Sequence, residues 1–91
     1  MYAIEYSTKF KKDYKTCQKR HLDISSLQSI IVKLANAQTL DFNHFDHKLS
    51  GEYSDCRECH IKPDWLLIYK IDENQHVLSL VRTGTHFDLF K

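Results

Sequence analysis

The residues best suited to chemistry are three histidines in the second half of the chain and two charged side chains near them. His47, His60 and His86 lie in short segments that also contain Asp64 and Arg82. Histidine is the side chain whose unperturbed charge change lies near neutral pH, so it suits proton transfer. Imidazoles, a carboxylate and a guanidinium are together the groups needed for acid–base cleavage of a phosphodiester. Solvated histidines on a small domain are the alternative, and residue types alone support both interpretations about equally.

The surroundings of these residues indicate how the chain could bring them together. Arg82 ends an apolar segment, and His86 follows beyond Gly84, whose backbone freedom permits a turn that would place the two side by side. Asp64 follows Pro63 directly before another apolar segment. Taken singly, Arg82 could be a surface cation and Asp64 an ordinary turn residue, so the interpretation depends on the whole set.

The first third of the chain predicts a strand and two helices. Residues 2–6 alternate as in a short strand, and Ser7 or Thr8 can cap the helix that follows. A second helix carries apolar residues at helical spacing and should end near 36–38. Its start is either Asp23 as N-cap or the capping box Ser25-x-x-Gln28. Each helix has one apolar side, so the pair should form a hairpin that covers a sheet.

The remaining residues predict about four strands joined by short turns. The run Trp65–Tyr69 is continuously apolar and suits a central strand covered on both faces. The other strands are predicted at 47–49, 55–62 and 77–82, and the tail should fold back through Leu89 and Phe90. The fold class is therefore α+β: an N-terminal strand, a two-helix hairpin, then a mostly antiparallel curved sheet of about four further strands. The helices should cover one face and leave the other open.

The motif Cys56-Arg-Glu-Cys59-His60 has the spacing of a c-type haem attachment site. Such haems go with export, no secretory signal is visible, and Met1 is the only methionine that could serve as an axial ligand. The two cysteines are three positions apart on a predicted strand, so their side chains should face opposite sides, which also argues against zinc. We therefore predict no cofactor and no metal, and interpret Cys17 with the other two as free thiols.

Composition is typical of a soluble globular protein. Hydrophobic residues make up 42% of the chain and charged residues 27%. Residues 1–91 are predicted to form a single domain with a modest core. No apolar run approaches the roughly 20 residues that a membrane span needs. These features predict a cytoplasmic location without a membrane partner.

The formal charge of +1 hides a strongly basic first helix. Residues 8–21 carry six basic side chains against one acidic one, and the rest of the chain is net acidic. A basic helix on a near-neutral protein is a plausible contact for nucleic-acid phosphates, although most lysine-rich helices are simply solvated. The candidate contacts are Lys9, Lys11, Lys12, Lys15, Lys19 and Arg20.

Three segments carry a resemblance to a known family. The segments 46–51 (DHKLSG), 57–70 (RECHIKPDWLLIYK) and 82–90 (RTGTHFDLF) resemble the YafQ-type branch of the RelE/ParE toxin superfamily. The N-terminal strand and basic helix are similar too, so the resemblance covers nearly the whole chain. It implies a bacterial type II toxin, a metal-independent endoribonuclease that cleaves translated mRNA in the ribosomal A site. A cognate antitoxin would inhibit it.

The resemblance also implies roles for individual residues. The catalytic positions of the family fall on His47, His60, Asp64, Arg82 and His86, and two substrate-binding positions fall on Trp65 and Phe90. The basic helix would bind small-subunit ribosomal RNA, and the substrate would be mRNA. Glu52-Tyr53 replaces a tryptophan-containing segment of the family, which puts substrate preference in doubt.

In the expected chemistry the 2′-hydroxyl attacks the neighbouring phosphate. Arg82 would bind that phosphate and His86 would act as general acid. Asp64 with His60 or His47 would form the base side, in an order that the sequence leaves open. The alternatives are a non-catalytic ParE-like inhibitor of DNA gyrase on the same scaffold, and a plain interaction domain. Neither would need three imidazoles.

Overall fold

The computed structural model describes residues 1–90, and Lys91 lies outside the described part. One five-stranded sheet has the order β1-β5-β4-β3-β2. The outermost strand β1 is parallel to β5, and all other neighbours are antiparallel. The strands are β1 (Ala3–Tyr6), β2 (His47–Lys48), β3 (Arg57–Lys62), β4 (Trp65–Asp72) and β5 (Val77–Gly84). The predicted α+β class, with two helices after the first strand and a mostly antiparallel sheet, is confirmed.

Both predicted helices are present. Ser7 caps α1 (Thr8–Lys19): its hydroxyl accepts a hydrogen bond from the Phe10 amide at 2.9 Å and donates one to a carbonyl of β5. This ties the start of the helix to the sheet. Asp23 is the N-cap of α2 (Ile24–Ala35), so the first of the two predicted starts is right. Its carboxylate accepts hydrogen bonds from two serine hydroxyls of the first turn. A short third helix, α3 (His86–Phe90), was not predicted.

The main core lies between the two long helices and one face of the sheet (the helix face). Alternate residues of β3, β4 and β5 point to this face and meet apolar side chains of both helices. Leu27, Leu67 and Leu80 are fully buried there. Burial of this apolar surface supplies most of the hydrophobic stabilisation of the fold.

The opposite face (the second face) is only partly open, which corrects the prediction. Leu66 and Ile68 of β4 pack there with Leu89 of α3 in a smaller core. The physical reason is that a continuous apolar strand has to be covered on both sides. Cys56 belongs to this smaller core and Cys59 to the main one, so the prediction that they face opposite sides is right.

Burial makes the thiols of β3 poor nucleophiles. Desolvation raises the pKa of Cys56 to about 11 and that of Cys59 to about 12. The thiolate is the reactive form of cysteine, and little of it exists near neutral pH under these conditions. Both residues therefore behave as small apolar core residues.

Two irregularities shape the end of β5. A register shift opposite Ile68 and Tyr69 places Arg82 directly across from Ile68, on the second face. Gly84 then has φ +157°, and a Cβ there would lie 2.9 Å from a carboxylate oxygen of Asp88. Glycine is thus required for the turn into α3. Among residues 1–90, no helix has the length and apolar character needed to cross a membrane.

Candidate active site

The strand pair β2–β3 positions two imidazoles around one buried carboxylate. His47 lies directly opposite Glu58 across the two strands, and His60 is two residues further along on the same face. The His47 Nε2 and the His60 Nε2 are 3.3 and 3.7 Å from the same oxygen of Glu58. The Glu58 side chain is only 6% exposed, so these imidazoles largely replace its solvent.

Backbone carbonyls orient both rings. The Nδ1 of His47 donates to the Phe45 carbonyl at 2.6 Å, and the Nδ1 of His60 donates to the Pro63 carbonyl at 3.3 Å. A neutral imidazole that donates from Nδ1 presents a lone pair at Nε2. Since both Nε2 atoms face the carboxylate, a favourable contact requires a proton on the imidazole or on Glu58. The arrangement thus brings together the types of side chain that general acid–base catalysis uses.

His86 and Asp64 form a pair beside Glu58 and its two imidazoles. Asp64 lies in the turn between β3 and β4, and one of its oxygens accepts hydrogen bonds from the His86 amide at 3.3 Å and from His86 Nδ1 at 3.1 Å. These bonds lower the pKa of Asp64 below its usual value. The carboxylate thereby fixes the ring and leaves Nε2 of His86 free for a proton transfer.

The His86–Asp64 pair, Glu58 and its two imidazoles form one group. The ring centroids of His60 and His86 are 5.6 Å apart. One ligand atom each of Glu58, His60 and His86 lies within 4.8 Å of the others. Four of the five expected catalytic residues, all but Arg82, therefore belong to one group with Glu58 (the histidine cluster: His47, Glu58, His60, Asp64, His86). Asp64 contacts His86 rather than the other imidazoles, which differs from its expected place on the base side.

Arg82 is held by the first helix. Its guanidinium donates to both oxygens of Asp13, at 2.7 and 3.0 Å, and Asp13 also accepts the Thr83 amide. The carboxylate raises the pKa of Arg82 above its usual range. Arg82 on β5 and Glu58 on β3 share the second face, and Ile68 of β4 lies directly between them. The guanidinium has to give up at least part of its contact with Asp13 before it can bind a phosphate. The sequence patterns did not predict this contact.

The two expected substrate-binding aromatics differ in accessibility. Trp65 is only 3% exposed, and its indole N–H donates to the Thr83 hydroxyl within the core. Stacking on a base requires an open ring face, so Trp65 would have to be uncovered before it could contact substrate in the expected way. Phe90 is 45% exposed, 6.4 Å from the His86 ring, and meets Tyr53 edge-on. The tail is thus anchored by Leu89, which is buried, and not by Phe90.

The basic side chains of α1 are exposed, as a phosphate-binding surface requires. Arg20 is an exception in its contacts, because it donates to both oxygens of Asp88 at 2.7 and 3.2 Å. Its charge is therefore already paired. The remaining group is defined as the basic face: Lys9, Lys11, Lys12, Lys15 and Lys19.

Two functional candidates were missed from the sequence. Glu58 lies two positions before His60 and therefore on the same strand face, which is a usable signal, but its burial between two imidazoles cannot be seen in the sequence. Asp13 looked like the single acidic residue of a basic helix. Its contact with Arg82 joins positions 69 residues apart, and no local pattern predicts such a pair.

The histidine cluster also has the donor set of a metal site. One carboxylate and two imidazoles, those of Glu58, His60 and His86, suit a transition metal ion such as zinc or copper. The three ligand atoms are close enough to share one ion. The same lone pairs serve proton transfer, so the two uses exclude each other.

The fold and the site together define the class of this protein: it is a small α+β protein whose sheet gathers imidazoles and carboxylates on one face. The family model described as the bacterial toxin of type II toxin-antitoxin systems, YafQ, matches residues 2–91. The chain belongs to this family of type II toxins. The resemblance inferred from the three sequence segments is thus confirmed.

Relatives at 40% identity and above support the same assignment. The chain is 42% identical over 88 residues to the mRNA interferase toxin YafQ of Escherichia coli K12, covering 96% of this chain and 94% of the relative. A metal-bound toxin from Helicobacter pylori superposes with a TM-score of 0.93 at 44% identity, over 99% and 100% of the two chains. YafQ in the E. coli DinJ-YafQ toxin-antitoxin complex gives 0.89 at 41% identity, over 99% and 98%.

Proposed function

We propose that this chain is an mRNA interferase, a metal-independent endoribonuclease that cuts translated mRNA in the ribosomal A site and so inhibits translation. The main structural support for this activity is that His86 and Asp64 lie together with Glu58 and its two imidazoles. The name of the E. coli relative, mRNA interferase toxin, supports the same activity.

In the proposed reaction the 2′-hydroxyl attacks the adjacent phosphate and the 5′-oxygen leaves. Glu58 with His47 and His60 takes the proton of the 2′-hydroxyl, and His86 protonates the leaving oxygen through Nε2. Each well-placed acid or base contributes on the order of 10²–10⁴ in rate. Asp64 acts as the residue that orients His86. DNA lacks the nucleophile, so the substrate is RNA.

Arg82 is assigned to the developing charge on the phosphate. Neighbouring strands are about 4.8 Å apart, so the backbones at Glu58 and Arg82 are separated by about 10 Å on the same face. A phosphate group between them is within reach of a long guanidinium side chain. Asp13 holds that side chain near the required position before substrate arrives.

Ribosome binding is assigned to the basic face of α1. Its five lysines are exposed, and phosphate contacts of this kind weaken steeply with salt. Action on ribosome-bound mRNA also implies a cytoplasmic location. Phe90 is the aromatic residue best placed to meet a substrate base, since it is partly exposed beside His86.

The proposed partner is a cognate antitoxin protein. A type II toxin is by definition paired with a protein antitoxin, and the E. coli relative has been crystallised with DinJ. In this chain a groove of about 670 Å³ runs between the two long helices and the edge of β1, with Ile4, Tyr6 and Val32 in its wall. An amphipathic antitoxin helix would fit such a groove.

Primer extension on a reporter mRNA, translated with and without the protein, tests the activity. We expect cuts that require translation, appear with wild type and disappear with His86→Ala. His21→Asn is the matched control, because His21 is an exposed histidine outside the cluster whose left-handed backbone (φ 60°) asparagine tolerates. DNA-damage signalling without mRNA cuts would instead indicate the gyrase inhibitor.

A further inference from the structure

Two exposed phenylalanines flank the histidine cluster and have no part in the mechanism described so far. Phe42 is 92% exposed and Phe45 is 58% exposed. They lie at the two ends of a short 3₁₀ turn that leads into β2. Rings this exposed bury little apolar surface, so these two residues contribute little to the hydrophobic stabilisation of the fold.

One hydrogen bond closes the turn and another ties it to β3. The Phe45 amide donates to the Phe42 carbonyl at 3.1 Å, and the ring of His44 donates from Nδ1 to the His60 carbonyl at 2.6 Å. Phe45 itself has φ 48° and ψ 44°, a left-handed conformation that bulky residues rarely adopt. A strained, exposed aromatic residue held in place by its surroundings points to binding.

The rings continue the row formed by the site itself. Centroid distances are 6.2 Å from Phe42 to Phe45, 5.5 Å from Phe45 to His60, 5.6 Å from His60 to His86 and 6.4 Å from His86 to Phe90. The proton-transfer imidazoles thus lie in the middle, with open aromatic rings on both sides. A strand of RNA cleaved at the centre would pass both ends of this row.

A cavity lies on the Phe42 side of the row. Its volume is about 470 Å³, which is within the range of small-ligand sites, and both phenylalanines line it. Polar groups on the same wall come from Asp46, His47 and Arg57. The Arg57 guanidinium and the Tyr69 hydroxyl both donate to Asp46, which fixes this polar edge. Ring faces beside fixed polar groups are what recognition of an unpaired base uses.

We propose that Phe42 and Phe45 form a base-stacking subsite for single-stranded RNA next to the scissile linkage. The proposal rests on the proposed ribonuclease function and adds to it the place where a flanking nucleotide binds. An RNA is favoured over a protein occupant because the row passes through the proton-transfer imidazoles and because charged and polar side chains share the wall of the cavity beside it. Aromatic stacking is also tolerant of base identity.

Binding can be measured without cleavage. The probe is a short oligoribonucleotide with 2-aminopurine beside the cleavage position and a 2′-deoxy sugar at that position, so that the nucleophile is missing. Wild type should quench the 2-aminopurine fluorescence through stacking. Phe42→Ala and Phe45→Ala should each weaken binding by about 5- to 140-fold, the range for losing one base–aromatic stack. Phe45→Trp should restore it.

His76→Asn is the matched control, since His76 is an exposed aromatic ring in the turn between β4 and β5, outside every proposed binding site, and asparagine tolerates its left-handed backbone (φ 60°). It should bind the probe like wild type. In ribosome cleavage assays the two phenylalanine variants should raise KM with little change in kcat, because they hold substrate but transfer no proton. Equal thermal unfolding of all variants shows that the fold is intact.

The outcomes separate this proposal from the ribonuclease assignment. Unchanged probe binding by the double variant Phe42→Ala/Phe45→Ala would overturn the subsite, even if wild type cuts mRNA. Loss of antitoxin affinity with unchanged probe binding would overturn it too and would identify a protein-docking surface. Quenching by wild type that both variants lose, in a protein that cuts no mRNA, would support the subsite and contradict the ribonuclease function.

Discussion

The two faces of the sheet divide stability and chemistry between them. The helix face buries apolar side chains of β3, β4 and β5 against two long helices. The second face has a small apolar core under α3 and carries the histidine cluster beside it. One strand serves both faces, since Cys59 points into the main core while its neighbours Glu58 and His60 point to the cluster. Substitutions on the two faces should therefore fail in different ways.

The largest effect on activity is expected for His86→Ala. Its side chain is about half exposed, and no core contact depends on it. Loss of a general acid should lower the cleavage rate by roughly 10²–10⁴. The free energy of unfolding should stay within about 0.5 kcal/mol of wild type, as for most surface substitutions. Single-turnover cleavage and urea unfolding measure the two quantities; a large loss of stability would mean that the faces are not separate.

A comparable loss should follow from filling the cluster with zinc. Zn²⁺ would use lone pairs of Glu58, His60 and His86 that proton transfer needs. Cleavage should fall towards the level of His86→Ala and recover on adding a zinc-selective chelator. Calorimetric titration of Glu58→Gln should show weaker zinc binding than wild type. Stimulation of cleavage by Zn²⁺ would contradict a metal-independent reaction.

The reverse behaviour is expected on the helix face. Leu67 is fully buried at the centre of the main core. Leu67→Ala should lower the free energy of unfolding by about 2–5 kcal/mol through lost burial and a cavity. At a temperature where the variant is folded, its cleavage rate should be near that of wild type. A rate loss in fully folded protein would show that the main core also sets the geometry of the site.

A smaller effect is expected at the contact that bridges the two faces. Asp13 on α1 holds Arg82 of the second face through two hydrogen bonds. Asp13→Asn keeps the shape but weakens the hold, so we expect about a tenfold lower cleavage rate from a misplaced guanidinium. Arg82→Lys is the companion variant, since lysine cannot reproduce the two-pronged contact. Faster cleavage by Asp13→Asn would instead mean that Asp13 withholds Arg82 from the phosphate.

Local sequence patterns were sufficient for most of the fold. Alternation and helical spacing predict β1, α1 and α2 to within about two residues, and the apolar run 65–69 correctly predicts a central strand. The same run already implied a covered second face, because apolar side chains on both sides of β4 need a partner. The five-residue helix α3 was missed because it is too short for a periodic pattern.

The site could be predicted in its members but not in its contacts. The histidines and Asp64 were named from their types and from a family resemblance, and they do lie together. The pairing of Arg82 with Asp13 and the burial of Trp65 depend on how distant segments pack. The role of Glu58 could be predicted only if His47 were known to lie across from it on β2, and only the strand register provides that information.

The most direct test of the account is whether Glu58 and His86 act as one unit. Single-turnover cleavage of ribosome-bound mRNA should be measured for Glu58→Gln, His86→Gln and the double variant. The base and the acid act together in one cleavage reaction, and groups that act as a unit are non-additive, so each single change should remove most of the activity and the double variant should be little worse. Near wild-type cleavage by either single variant, or losses that multiply as for independent sites, would contradict it.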